Sequence, residues 1–220
     1  MRVSSSIGKK ALMAASGLAL FGFVVMHLAG NLLLYRGPDA LNAYAAKLEH
    51  LGPLLWAARA GLLAALVVHV VTSAQLAIEN RRARPQAYAA YHPVKTTLAA
   101  RTMMATGILL LVYLVYHLLH FTFRVTNPEI SHGLDALGRR DVYTMVIRSF
   151  RQLPISLAYV LGVGVVCFHL SHGIASAPQT LGLNNERTLA AVSLAGRAAA
   201  VTIFLGYSSI PLAILTGFVR

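Results

Sequence analysis

The sequence predicts an all-α polytopic membrane protein: a single membrane domain over residues 1–220 with five transmembrane helices in one bundle. Three observations predict it. Apolar residues make up 57% of the 220-residue chain and charged ones 12%, where soluble domains carry about 45–50% and about 25%; mean hydropathy is +0.64. Five stretches lack any charged residue for roughly the 20 positions a helix needs to cross the hydrocarbon. Ten-residue blocks of alternating polarity, the mark of an outer-membrane barrel, are absent. A soluble globular domain, a disordered chain and a collagen-like repeat are excluded by the same composition.

The charge-free runs are 11–35, 60–78, 102–123, 152–185 and 198–219, counting histidine as neutral. The first follows Lys9-Lys10, ends at Tyr35-Arg36 and has no small-residue cleavage site, so it reads as a span rather than a cleaved leader. The fourth run, 34 residues, is too long for one crossing, and Pro154 and Pro178 are expected to mark its ends. With flanks added, helices are expected at about 9–35, 54–80, 101–124, 153–177 and 190–219. Between the first two, Gly37-Pro38-Asp39 signals a turn and residues 40–49 an amphipathic surface helix. The longest loop, 124–151, carries Thr126-Asn127-Pro128, Gly133, Gly138 and mixed charges, the pattern of a folded outer cap. No internal repeat is visible, which weighs against the common secondary-transporter architectures.

The net charge of +12 comes from nineteen Lys and Arg scattered over short polar segments. No basic helix or aromatic-interleaved patch is present, so the charge reads as membrane flanks and not as a nucleic-acid site. With the N-terminus inside, Arg2, Lys9, Lys10, Arg81, Arg82, Arg84, Lys95, Arg101, Arg187 and Arg197 are cytoplasmic, ten basic residues against nine outside. Lys9-Lys10 and the cluster Arg81, Arg82, Arg84 favour that orientation. The sole cysteine, Cys167, lies in the fourth span, so no disulfide forms within the chain.

Six of the nine histidines fall inside the spans: His27, His69, His117, His120, His169 and His172. A titratable ring is costly in hydrocarbon and marks a site, a relay or a cofactor, or bonds across a helix interface. Taking Ala11, Leu54, Arg101 and Pro154 as nominal starts, His27 and His117 lie 16 residues into their helices, His69 and His169 lie 15. Successive helices run in opposite directions, so His27 and His117 share one layer and His69 and His169 the other, ~12 Å apart in a slab of ~35 Å. Two histidines from two helices in each of two layers is what a pair of bis-histidine haems requires. Zinc or di-iron fits less well, since the spans hold one Cys and no Asp or Glu. A structural role, a relay of histidines alone and other cofactors are the remaining alternatives. His120 and His172, three residues beyond His117 and His169 on about the same helix face, qualify by spacing either as ligands in their place or as hydrogen-bond donors to a haem propionate. Ala15, Gly17, Gly22, Gly107, Gly162 and Gly164 are small residues suited to close helix contact.

Several blocks resemble the cytochrome b558 family of succinate dehydrogenase and fumarate reductase membrane anchors. They are Ser5-Ser6-Ile7-Gly8-Lys9-Lys10, His27-Leu28-Ala29-Gly30-Asn31, Gly37-Pro38-Asp39-Ala40-Leu41-Asn42-Ala43-Tyr44, Glu79-Asn80-Arg81-Arg82-Ala83-Arg84-Pro85, Tyr116-His117-Leu118-Leu119-His120-Phe121-Thr122, Asp141-Val142-Tyr143 and His169-Leu170-Ser171-His172-Gly173. The likeness runs over about residues 4–220. It implies a single-chain, five-helix, di-haem anchor in a bacterial inner membrane, passing electrons between an iron–sulfur subunit and membrane quinone, menaquinone or ubiquinone, in the enzyme that joins the tricarboxylic acid cycle to electron transport. It implies two haem b groups, with His27 and His117 holding iron at the site distal to the soluble subunits and His69 and His169 at the proximal one. It also implies a flavoprotein partner carrying FAD and an iron–sulfur partner; the chain has no dinucleotide fingerprint or cysteine cluster of its own. Related menaquinol-type anchors use a Glu after the first helix for quinone protons, and Glu49, 22 residues beyond His27, stands in a comparable place. The alternatives are a cytochrome b subunit of another oxidoreductase, of hydrogenase or formate dehydrogenase type, and a haem-free transporter or scaffold with structural histidines.

Overall fold

The computed structural model of the chain describes residues 5–83, 98–183 and 185–220. Of the positions invoked above, Arg2, Arg84, Pro85 and Lys95 lie outside the described residues. Helix α1 (Ser6–Asn31) tightens into a 3-10 turn (Leu32–Arg36), followed by α2 (Pro38–Glu49) and α3 (Pro53–Arg82). Then come α4 (Leu98–Arg101), α5 (Met103–His117) with a π turn (Leu118–Thr122), α6 (Pro128–Ser131), α7 (Val142–Phe150), α8 (Leu153–Thr180) and α9 (Glu186–Leu215). Five of these, α1, α3, α5 with its π turn, α8 and α9, are long and apolar enough to cross a membrane. The described residues contain no strand; Leu134 and Arg140 form an isolated bridge.

Local chemistry sets the ends. The Ser5 side chain accepts a hydrogen bond from the Gly8 N–H to start α1, and Asn185 with Thr188 forms a capping box at α9. Pro38, Pro53 and Pro154 sit in first turns, where a missing N–H costs nothing. Pro178 lies close to the end of α8, two residues before its last residue Thr180. It stands in the last turn, where it removes a single helical hydrogen bond, and the helix stops beyond it, before Gly182 at φ +72°.

Hydrocarbon supplies no hydrophobic drive for helix association, so contact rests on van der Waals packing and a few polar bonds. The most extensive packing is of α8 along α9 and of α1 along α3, with α8 also lying against α1 and α5. Neither α1 with α5 nor α3 with α8 belongs to the extensively packed pairs. Gly162 admits the Tyr113 ring: a Cβ there would stand 2.3 Å from it. Leu28, Val163, Cys167, Ala200 and Ile203 fill mid-bundle, while Leu34, Leu41, Val146, Ile147, Phe150, Tyr159, Ile210 and Ile214 close the end beneath the cap. Tyr207 donates to the Val24 carbonyl at 2.8 Å, tying α9 to α1.

The 124–151 segment folds as a cap over that end. The α7 residues Met145, Val146, Ile147, Ser149 and Phe150 are buried, and the cap is joined to α2 through Asn42, itself 1% exposed. Asn42 donates to Asp141 at 3.0 Å and accepts from the Tyr143 N–H at 2.9 Å. Asp141 also caps α7 through the Thr144 N–H. Asp135 accepts from Arg139, which reaches Asp39 at 2.8 Å. Desolvation pushes both buried-side carboxyls upward, but Arg139 at Asp135, and Thr144 with Asn42 at Asp141, outweigh it and hold both below the ordinary carboxylate range. Asn42→Ala leaves the Tyr143 N–H and one Asp141 lone pair without their partner, a loss of about 2–4 kcal/mol. It should lower the melting temperature of the purified protein and speed tryptic cleavage at Arg139 and Arg140; unchanged cleavage would show that the cap is held elsewhere.

Candidate functional site

Each of the four histidines singled out by depth faces its expected partner. The His27 ring on α1 and the His117 ring on α5 have centroids 5.9 Å apart with planes at 83°. His69 on α3 and His169 on α8 stand 6.4 Å apart at 70°. An imidazole nitrogen binds a metal at about 2 Å and lies roughly 1.1 Å from its ring centre, so rings on opposite sides of one metal have centroids about 6 Å apart. Both pairs meet that spacing. Each also reaches across two helices that do not pack extensively against each other.

Hydrogen bonding sets the nitrogen chemistry. His69 Nδ1 lies 3.0 Å from the Met13 carbonyl; a carbonyl only accepts, so Nδ1 carries the proton and Nε2 the free lone pair. Gly17, one turn along α1, makes room for this ring: a Cβ there would stand 3.0 Å from His69 Cε1. His169 Nδ1 lies 3.0 Å from the buried Thr106 hydroxyl. In the other pair, His117 Nδ1 is buried with no hydrogen-bond partner among the described residues, and Phe23 stacks on His27 at 5.3 Å. No three His, Cys, Asp or Glu side chains converge among the described residues. Two imidazoles per site are therefore the donor set the protein offers, and that set fits a haem iron held from both faces.

The π turn after His117 separates two histidines that spacing places on one face. Its wider winding turns His120 away from His27, and a π bulge commonly marks a functional position. His120 is fully buried, with Nδ1 3.0 Å from the Tyr159 hydroxyl and Nε2 3.1 Å from the Ser149 hydroxyl. Both ring nitrogens are thus engaged, joining α5 to α7 and α8, which leaves neither directed at iron or a propionate. His172 is half-buried one turn from His169 on α8. Glu49 ends α2, exposed, 3.2 Å from Arg140 of the cap.

A family model described as succinate dehydrogenase/fumarate reductase transmembrane subunit matches residues 78–204, more than half of the chain. The chain belongs to that family. No curated protein and no solved structure gives a match. This succinate dehydrogenase/fumarate reductase transmembrane subunit is a multi-pass membrane anchor of an oxidoreductase complex and associates with that complex's other subunits. The matched stretch of the anchor contains His117, His120, His169 and His172, one ring of each facing pair; His27, His69 and Glu49 precede it. Sequence reasoning missed Thr106 and the Met13 carbonyl. Thr106 is 63 positions from His169, and one threonine in an apolar helix carries no signal of a contact so distant.

Proposed function

We propose that this anchor is a di-haem cytochrome b that conducts electrons between the iron–sulfur subunit of its complex and a membrane quinone. The observation that supports the reading most strongly is the two facing histidine pairs, each at the spacing of opposed ligands on one metal. His27 and His117 would hold one haem b and His69 and His169 the other. Haem b held by these residues would supply one-electron transfer chemistry. The residues of the chain present imidazoles, hold them in fixed orientation and keep water out with the apolar walls of α1, α5 and α8. The flavin and iron–sulfur centres belong to the partner subunits, a flavoprotein and an iron–sulfur protein, and the bacterial inner membrane with the N-terminus inside is the setting we assign.

The deciding measurement is a dithionite-reduced minus oxidised spectrum of the purified complex together with its haem content. Two haem b per anchor chain, copurifying with a flavoprotein and an iron–sulfur protein, is the expected result. A haem-free chain would leave the histidines with a structural role.

Within this reading Glu49 exchanges protons with a quinone on the outer side. Quinone reduction takes up two protons with two electrons, so such a site needs a titratable group at its mouth. Glu49 is exposed in the outer loop region and paired to Arg140, and an exposed ion pair contributes less than about 1 kcal/mol. Glu49→Gln should therefore keep both haems and the assembled complex while strongly reducing quinone-linked turnover. Normal turnover would move the quinone to the cytoplasmic side, beside the iron–sulfur subunit.

A further inference from the structure

The two histidine pairs are held differently, and the difference assigns a role to a residue outside them. Both rings of the His69–His169 pair have Nδ1 hydrogen-bonded, to the Met13 carbonyl and to Thr106, each at 3.0 Å. In the His27–His117 pair, His117 Nδ1 has no partner among the described residues. Thr106 is buried, and its own hydroxyl lies 3.1 Å from the carbonyls of Thr102 and Met103. With its proton held inside α5, the oxygen keeps a lone pair for the Nδ1–H of His169.

We propose that Thr106 is a positioning residue for the His69–His169 haem, fixing His169 in the Nδ1–H tautomer, aiming its Nε2 at the iron and raising its basicity as a ligand. The inference rests on the di-haem reading above. A ring nitrogen that donates a hydrogen bond leaves the other nitrogen more electron-rich, and such outer partners orient metal-bound histidines and tune the metal. A more basic ligand favours ferric over ferrous iron, so this contact lowers the potential of one haem and leaves the other untouched. On the His69 side the acceptor is backbone, which no substitution removes; among the described residues Thr106 is the side chain whose replacement changes a ring hydrogen bond of this pair.

The test is a redox titration of both haems in the purified, fully assembled complex, with the low-temperature EPR signal of each ferric haem, for wild type, Thr106→Val, Thr106→Ala and Thr106→Ser. Valine keeps the shape and removes the acceptor; serine keeps the hydroxyl. The expected result is a positive shift of one haem's midpoint potential and a displaced EPR signal for that haem alone in Thr106→Val, with Thr106→Ser close to wild type. Loss of one haem from the valine and alanine variants, with two retained by serine, supports the same role. Unchanged potentials and EPR signals in Thr106→Val overturn it, as do serine effects as large as those of valine, which would reflect packing of the threonine methyl. Failure of the underlying reading looks different. A wild-type complex without haem, or loss of different haems from His69→Ala and His169→Ala, would overturn the pairing itself and this inference with it.

Discussion

Replacing His27 or His117 by alanine is expected to remove the same haem, bringing the content from two to one per chain. The rings face each other at 5.9 Å, and each is half-buried between elements that pack mainly against other helices. In the proposed arrangement, deleting either imidazole would leave the iron with one protein ligand, and haem retention should fall sharply. The two variants should therefore give matching difference spectra, that of the surviving centre. His120→Ala serves as the contrast. Its ring bonds Tyr159 and Ser149, so the variant should lose stability while keeping two haems. A His117→Ala protein with both haems, beside a His120→Ala protein with one, would reverse the ligand assignment on α5.

Loss of His69 or His169 is expected to interrupt electron flow. In the proposed arrangement this pair stands nearest the soluble subunits and receives the first electron from the iron–sulfur chain. His69→Ala and His169→Ala complexes should still reduce an artificial dye at the flavoprotein with succinate, while quinone reduction falls to background. Retained quinone reduction with that haem missing would put the quinone upstream of it.

Much of the architecture is legible in the sequence because hydrocarbon imposes one simple demand, about 20 apolar positions per crossing. Facing rings follow from the same regularity: equal depth in spans that run the same way, the first with the third and the second with the fourth, brings histidines to one level whatever the side-chain detail. What escaped depends on contacts between distant positions or on departures from regular winding. The π turn at Leu118–Thr122 separates His117 from His120, and no residue in Leu-Leu-His-Phe-Thr announces it. Pro178 marks the end of α8 to within two residues, the stop itself lying just before Gly182. Asn42 joins Tyr143 across 101 positions, a bond visible only once the cap is folded.

The packing pattern also bears on how the protein is made. The two most extensive helix contacts, α1 with α3 and α8 with α9, each join consecutive spans, so each can form as a hairpin once its second helix enters the bilayer. Both histidine pairs cross between the first hairpin and later segments: His27 to His117 on α5, and His69 to His169 on the second hairpin. Membrane insertion can thus finish before any cofactor arrives, and in the proposed di-haem arrangement capture of haem would be a late step that adds to the contacts between the two halves. On that reading, cells starved of haem would accumulate an inserted anchor whose halves are held by α8 against α1 and by the Tyr207–Val24 bond, without the further tie between the histidine pairs.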